Sequence, residues 1–264
     1  AEKGERSLST YIDIKSIYIA LIQETHLTHS RAATLHRILK GSCHCSCFTS
    51  YAPGVLLWIR HGSNVKLMDV QADPDGTYMI CHYSIDTTEL IVIGVYGPNY
   101  DCPQFFMDLQ TKLLKYGEVP QLWGGDFNCI LDMERDRSKI VTRRPSATSR
   151  VLLDIIEQDV LVDVRRHLWQ ENTGYTHYST PHDIPTRIDY WLLSRCVLPQ
   201  VVRCDHLPRT YSDHSPVLLE IKLSTPLPAP FTWRFPPYSL LDRVFRDEMT
   251  QAMDEYFTHN IGSV

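Results

Sequence analysis

The sequence predicts an α+β sandwich, built from runs of strands with helices between them. Three observations carry this. Several strand-like runs crowd into residues 43–96, separated by turn residues. Helix-period segments precede and follow them. Polar residues gather where the apolar runs end. With 264 residues and 43% apolar composition, the chain can fill one large core or two small ones.

Taken in order, residues 5–16 have helical spacing, with Leu8, Tyr11, Ile12 and Ile14 expected inward. Residues 17–22 are largely β-branched and read as a buried strand. A short helix is expected over 30–40. Strands are expected over 43–51, 54–61, 64–71, 77–85 and 89–96, forming an antiparallel meander. Pro53-Gly54, His61-Gly62-Ser63-Asn64 and Asp73-Pro74-Asp75-Gly76 supply its turns. A helix over 102–116 leads to the stretch 121–128, and helices follow over 148–158 and 161–169. Strands near 174–178, 187–194, 198–206 and 215–223 complete the domain. Residues 224–230 form a Pro-rich connector that cannot continue a sheet. Beyond it, Leu241, Val244, Phe245, Met249, Ala252, Met253 and Tyr256 recur at helical spacing. That face either packs on its own domain or leads into a further one. The domain boundaries are placed at 1–223 and 224–264.

The chain is organised around Trp123-Gly124-Gly125-Asp126-Phe127-Asn128. The glycines let the backbone turn tightly and approach a neighbour closely. Asp126 and Asn128 stand two apart, so on an extended chain they share a face. A carboxylate can accept a proton or hold a metal; a carboxamide can donate to an anionic oxygen or accept from a water. The pair suits hydrolysis of a phosphate ester, although the same residues also make ordinary turns. Other strand ends carry similar groups. Glu24 follows the first buried run and Tyr96 closes another. Asp189 lies in Arg187-Ile188-Asp189-Tyr190, and Ser212-Asp213-His214-Ser215 precedes the last strand. Strand ends on one rim of a sandwich can converge on a single pocket.

Composition limits the alternatives. No apolar run reaches the roughly 20 residues of a membrane helix. The first six residues are not expected to be a signal peptide, and the missing initiator Met suggests a fragment. A formal net charge of -5 argues against coating DNA through bulk charge. It leaves room for an enzyme that touches DNA through a local patch. Cys43, Cys45 and Cys47 alternate around His44, too close in sequence for the usual paired-ligand knuckle. With Cys81, Cys102, Cys129, Cys196 and Cys204 they read as reduced, buried thiols. That suits a reducing compartment, nuclear or cytoplasmic.

Five motifs occur in a fixed order: Gln23-Glu24-Thr25-His26, Val95-Tyr96-Gly97-Pro98-Asn99, Gly124-Gly125-Asp126-Phe127-Asn128, Arg187-Ile188-Asp189-Tyr190 and Ser212-Asp213-His214-Ser215. As an ordered set they resemble the endonuclease/exonuclease/phosphatase superfamily. Within it, the set is similar to the apurinic-like endonuclease of non-LTR retrotransposons of the long interspersed element type. The likeness spans residues 5 to 223. The segment around Trp233-Arg234-Phe235 and the helix after it resemble the join to a reverse transcriptase.

The resemblance implies a DNase I-like sandwich in four layers, α/β/β/α, and a metal-dependent DNA nickase. It implies that Glu24 binds Mg2+, with Mn2+ as an alternative, and that Asp213 adds to the metal site. Asp126 would orient or deprotonate the attacking water, and Asn128 would help position it. Tyr96 and Thr176 would contact phosphate oxygens, with Ser212 nearby. His214 would contact the scissile phosphate while Asp189 holds it. Arg135 and Arg137, in a basic stretch with Lys139, Arg143 and Arg144, either meet DNA phosphates or form a solvated loop. Residues 178–185 match a hairpin that probes the minor groove. The implied partners are double-stranded DNA, a reverse transcriptase domain of the same polyprotein and, indirectly, element RNA; no membrane is implied. The family also places a strand before the first helix, ending in an Asn of the pocket, and this sequence is expected to lack both. An abasic-site repair nuclease or another phosphoesterase of the superfamily is the enzymatic alternative. A non-catalytic nucleic-acid-binding relic is the other.

Overall fold

The computed structural model describes residues 2–46, 51, 53–139, 144–170, 174–179, 184–209, 212–223 and 242–260. In chain order, α1 (Glu2–Ile14), β1 (Ile19–Ile22), α2 (His29–Leu39), β2 (Gly41–Cys45) and β3 (Leu56–Arg60) come first. Next are β4 (Val65–Ala72), β5 (Tyr78–Ile85), β6 (Thr88–Tyr96), α3 (Pro103–Leu113) and β7 (Gln121–Asp126). Then follow α4 (Ala147–Gln158), β8 (Leu161–Asp163), α5 (Val164–Leu168), β9 (His177–Ser179), β10 (Ile184–Thr186) and β11 (Asp189–Ser194). The last are β12 (Val201–His206), β13 (Val217–Ile221) and α6 (Arg243–Asn260).

A six-stranded sheet, ordered β4-β5-β6-β7-β11-β8, forms the middle of the molecule. Its strands alternate their side chains between two cores, as the pleat requires. Ile80, Ile91, Ile93 and Val95 point to one face and meet Phe106, Leu109, Leu152 and Ile155 of α3 and α4. Met79, Cys81, Tyr83 and Val92 point to the other and meet Leu57, Ile59, Ile19 and Leu21. Those belong to a three-stranded sheet, β1-β3-β2. Its outer face, with Leu56, Trp58, Ala20 and Ile22, packs on Ile12, Leu35 and Leu39 of α1 and α2. The two-stranded sheet β12-β13 covers the β11 end of the same middle sheet through Leu193, Cys204, Val217 and Leu219. The sandwich expectation therefore holds, with helices on both outer faces. Among the described residues, β1 pairs only with β3 and β13 only with β12, so each leaves one edge without a partner strand.

Several local expectations change. The meander is split, because the chain passes from one sheet to the other between β3 and β4. The helix expected over 161–169 opens instead as β8, which pairs with β11. Asp163 then caps α5 by accepting the Arg166 N–H. The front of the strand expected over 198–206 is a 3-10 turn, Arg195–Gln200, with Pro199 inside it. Ile14 is exposed rather than inward. In α6, Val244 and Met253 of the expected apolar face are exposed, while Phe245 and Met249 are half-buried. Cys43 and Cys45 pack toward α1 and α2. Both are free thiols, half-buried rather than buried as expected, and desolvation pushes them up, to about 12 and about 11, so both stay protonated. Cys47 and the motif Trp233-Arg234-Phe235 lie outside the described residues.

Candidate active site

Topology converges the motifs. Strands β6 and β7 are parallel, so their last residues, Tyr96 and Asp126, pair in register. Strand β11 runs antiparallel to β7, which sets its first residue, Asp189, opposite Asp126. An isolated bridge between His177 and His214 ties the segment before β13 to β9. Glu24 follows β1 and reaches Tyr96, whose hydroxyl donates to Glu24 Oε1 at 2.5 Å. Gly125 has φ +138°, and a Cβ there would lie 2.1 Å from the Val95 carbonyl oxygen. A Cβ on Gly124 would lie 2.6 Å from the Trp191 ring. Both positions need glycine, as the close approach read from the sequence required.

At the centre stand Asp126, Asp189 and His214. His214 Nδ1 is 2.9 Å from Asp189 Oδ2, and its Nε2 is 4.0 Å from Asp126 Oδ2. Asp126 is 6% exposed, and its Oδ1 accepts the Asn128 N–H at 2.8 Å. Burial raises the Asp126 carboxyl above the usual carboxylate range, to about 7, and the charge of Asp189 adds to this. Burial alone would lower the His214 imidazole. The hydrogen bond and charge of Asp189, with Asp126 and Asp213, override that and lift it to about 9. The site therefore pairs a carboxylate that titrates near neutrality with an imidazolium. Such a pair can take a proton from water and offer one to an anionic oxygen.

The other expected residues are placed as follows. Asn128 sits at φ +50° and its Nδ2 donates to the Gly97 carbonyl at 2.8 Å, which fixes it on the rim. Burial, then the hydrogen bond and charge of Glu24, raise the Tyr96 hydroxyl, which stays protonated. Thr176 is fully buried, and its Oγ1 accepts the N–H groups of Ile188 and Asp189 at 3.1 and 3.2 Å. A hydroxyl so enclosed holds the Asp189 backbone and does not face a phosphate. Ser212 Oγ accepts the His214 N–H at 3.1 Å and so shapes the turn carrying it. Asp213 is exposed and lies by His177, with Nε2–Oδ2 3.6 Å. Arg135 is exposed, with its guanidinium donating to the Gln170 carbonyl at 3.3 Å. Arg137 is half-buried and bridges to Thr186. Arg143 and residues 180–183 lie outside the described residues.

One group escaped the sequence reading. Arg187 is fully buried, with Nε 2.7 Å from Asp136 Oδ1 and Nη2 2.6 Å from Asp163 Oδ2. Arg166 joins the same Asp136 oxygen at 2.6 Å. Two residues from Asp189, this knot fixes the start of β11. A cation inside a strand-like run was the available signal, because buried charge demands paired counter-charge.

The donors suit a hard divalent cation. Glu24 brings an exposed carboxylate whose charge reaches Asp126, and oxygen ligands of this kind hold Mg2+ with several waters retained. Asp126, Asp189 and His214 also form a group with ligand atoms within 4.8 Å of one another.

The model of the endonuclease/exonuclease/phosphatase family matches residues 5–214. The chain belongs to that family. It is similar to the transposon TX1 uncharacterized 149 kDa protein of Xenopus laevis, at 24% identity over 254 residues. That match covers 92% of this chain and 19% of the relative, so the chain spans about a fifth of that protein's length. Among solved structures, the AP endonuclease of Leishmania major aligns with a TM-score of 0.68 at 17% identity, covering 83% of this chain and 82% of the other. The AP endonuclease of Archaeoglobus fulgidus aligns with a TM-score of 0.66 at 17% identity, covering 83% and 94%. These likenesses show the shared fold, the DNase I-like sandwich expected from the sequence.

Proposed function

We propose that this domain nicks double-stranded DNA by hydrolysing a phosphodiester, leaving a 3′-hydroxyl that primes copying of a mobile element. The observation that carries the chemistry is the Asp126–His214–Asp189 arrangement beside Glu24 and Tyr96. The similarity to a transposon protein supports the biological setting, with a reverse transcriptase domain of the same polyprotein as partner. Bound Mg2+ on Glu24 would neutralise charge building on the phosphate. Asp126, ionised, takes the proton of the attacking water. Asn128 holds the rim where that water sits. His214, kept charged by Asp189, donates from Nε2 to a phosphate oxygen as negative charge grows. Tyr96 fixes the Glu24 carboxylate.

Supercoiled plasmid incubated with the protein should be nicked with Mg2+ and spared with EDTA. Asp126→Asn and His214→Ala should each slow nicking at least ~100-fold, the scale of losing a positioned acid or base. Nicking by either variant at the parent rate would refute the assigned roles. The solved neighbours named as AP endonucleases favour one second reading, cleavage at abasic sites. An oligonucleotide with one abasic site, cut much faster than intact duplex, would select it.

A further inference from the structure

His177 takes no part in the chemistry above, yet its ring lies beside the His214 ring, tilted by 42° with centroids 4.6 Å apart. Its Nε2 lies 3.6 Å from Asp213 Oδ2. The Nδ1 of each imidazole is already engaged. That of His214 meets Asp189 at 2.9 Å, and that of His177 meets Thr186 Oγ1 at 3.4 Å. On each ring Nε2 is then the nitrogen left for a metal. One ligand atom from each of His177, Asp213 and His214 lies within 4.8 Å of the others. The His side chains are 22% and 27% exposed, so the space is open to ions, and Asp213, at 62%, has freedom to close on one.

We propose that His177, Asp213 and His214 form a second cation site, selective for Zn2+, whose occupation switches off the nicking proposed above. Two imidazoles and one carboxylate are a Zn2+ donor set with one position left for water, whereas Mg2+ prefers oxygen alone. Each ring has an outer oxygen partner, the arrangement that orients zinc-binding histidines. An imidazole bound to Zn2+ cannot donate a proton, so an ion here removes the donor that nicking requires. The site rests on that reading only for its effect on nicking, not for its binding.

The test separates the two. The full chain, stripped with EDTA and dialysed, is titrated with zinc chloride by calorimetry without DNA. Cobalt(II) absorption reports the tetrahedral environment. The expected result is one Zn2+ site that His177→Ala weakens at least ~10-fold, and Asp213→Asn, on an exposed side chain, weakens likewise. Glu24→Ala should leave it intact. Plasmid nicking with Mg2+ should be inhibited by zinc in the parent and resist zinc in His177→Ala. Equal zinc affinity in the parent and both site variants, or its loss in Glu24→Ala, overturns the proposal. Intact zinc binding in a protein that nicks nothing would sink the proposed function and leave this site standing.

Discussion

His214 and Asp126 stand side by side, and each is held in its state by its surroundings, Asp126 by burial first and His214 by Asp189. Both have folded values above the ordinary ones, about 9 and about 7. A raised value means the folded protein holds the proton longer than the unfolded chain does. The stabilisation linked to His214 is fully present below about 6.5. It is lost as pH rises through about 9. The Asp126 contribution has the same sign and is already lost on passing about 7. The metal-free protein should therefore lose a few kcal/mol between pH 6.5 and 9. Asp189→Asn removes the charge that raises both groups and should flatten that slope. Urea melts at the two pH values check it; an unchanged slope in Asp189→Asn would place the response elsewhere. At this scale the sequence picked out Glu24, Asp126, Asp189 and His214, which the fold brings together, because they stand in short motifs. It did not show that Thr176 is enclosed, since burial of one hydroxyl depends on how the Arg187–Asp189 turn folds over it.

Among elements, β7 does the positioning. Its parallel pairing with β6 and antiparallel pairing with β11 place Tyr96, Asp126 and Asp189 at one rim. Strand periodicity made these runs legible, and the glycine pair marked where backbones meet. Sheet membership was not legible, because alternation looks alike in either sheet; hence the split meander. The boundary between β8 and α5 was missed because Leu161-Val162-Asp163 is too short to show a period. Strands β9 and β10 pair antiparallel, and β9 bridges to His214 of the site. Replacing residues 179–185 with a Gly/Ser turn should shift which positions on a long duplex are nicked more than the overall rate. Groove contacts choose a site, while phosphate contacts only position the enzyme. An unchanged cleavage map would assign specificity to another loop.

Across the whole molecule, the Arg187 knot links the segment after β7, the β8–α5 corner and the start of β11. Arg187→Met would strand Asp136 and Asp163 without their buried partner. The expected cost is ~3–5 kcal/mol, read as a lower melting temperature. Arg166→Ala, at a side chain 20% exposed, should cost less. Equal losses would mean the knot is not held by Arg187. Such a contact joins residues far apart in sequence, which is why local patterns did not reveal it. Burial of Asp126 carries one more consequence, for ionic strength. Salt screens charges over roughly 8 Å in physiological solution and acts weakly on groups shut away from it. Asp126 is buried and Asp189 nearly so, while Arg135 stands in solvent. Added salt should therefore raise the KM for DNA steeply and leave kcat at saturating DNA, with the pH at which it is half-maximal, almost where it was.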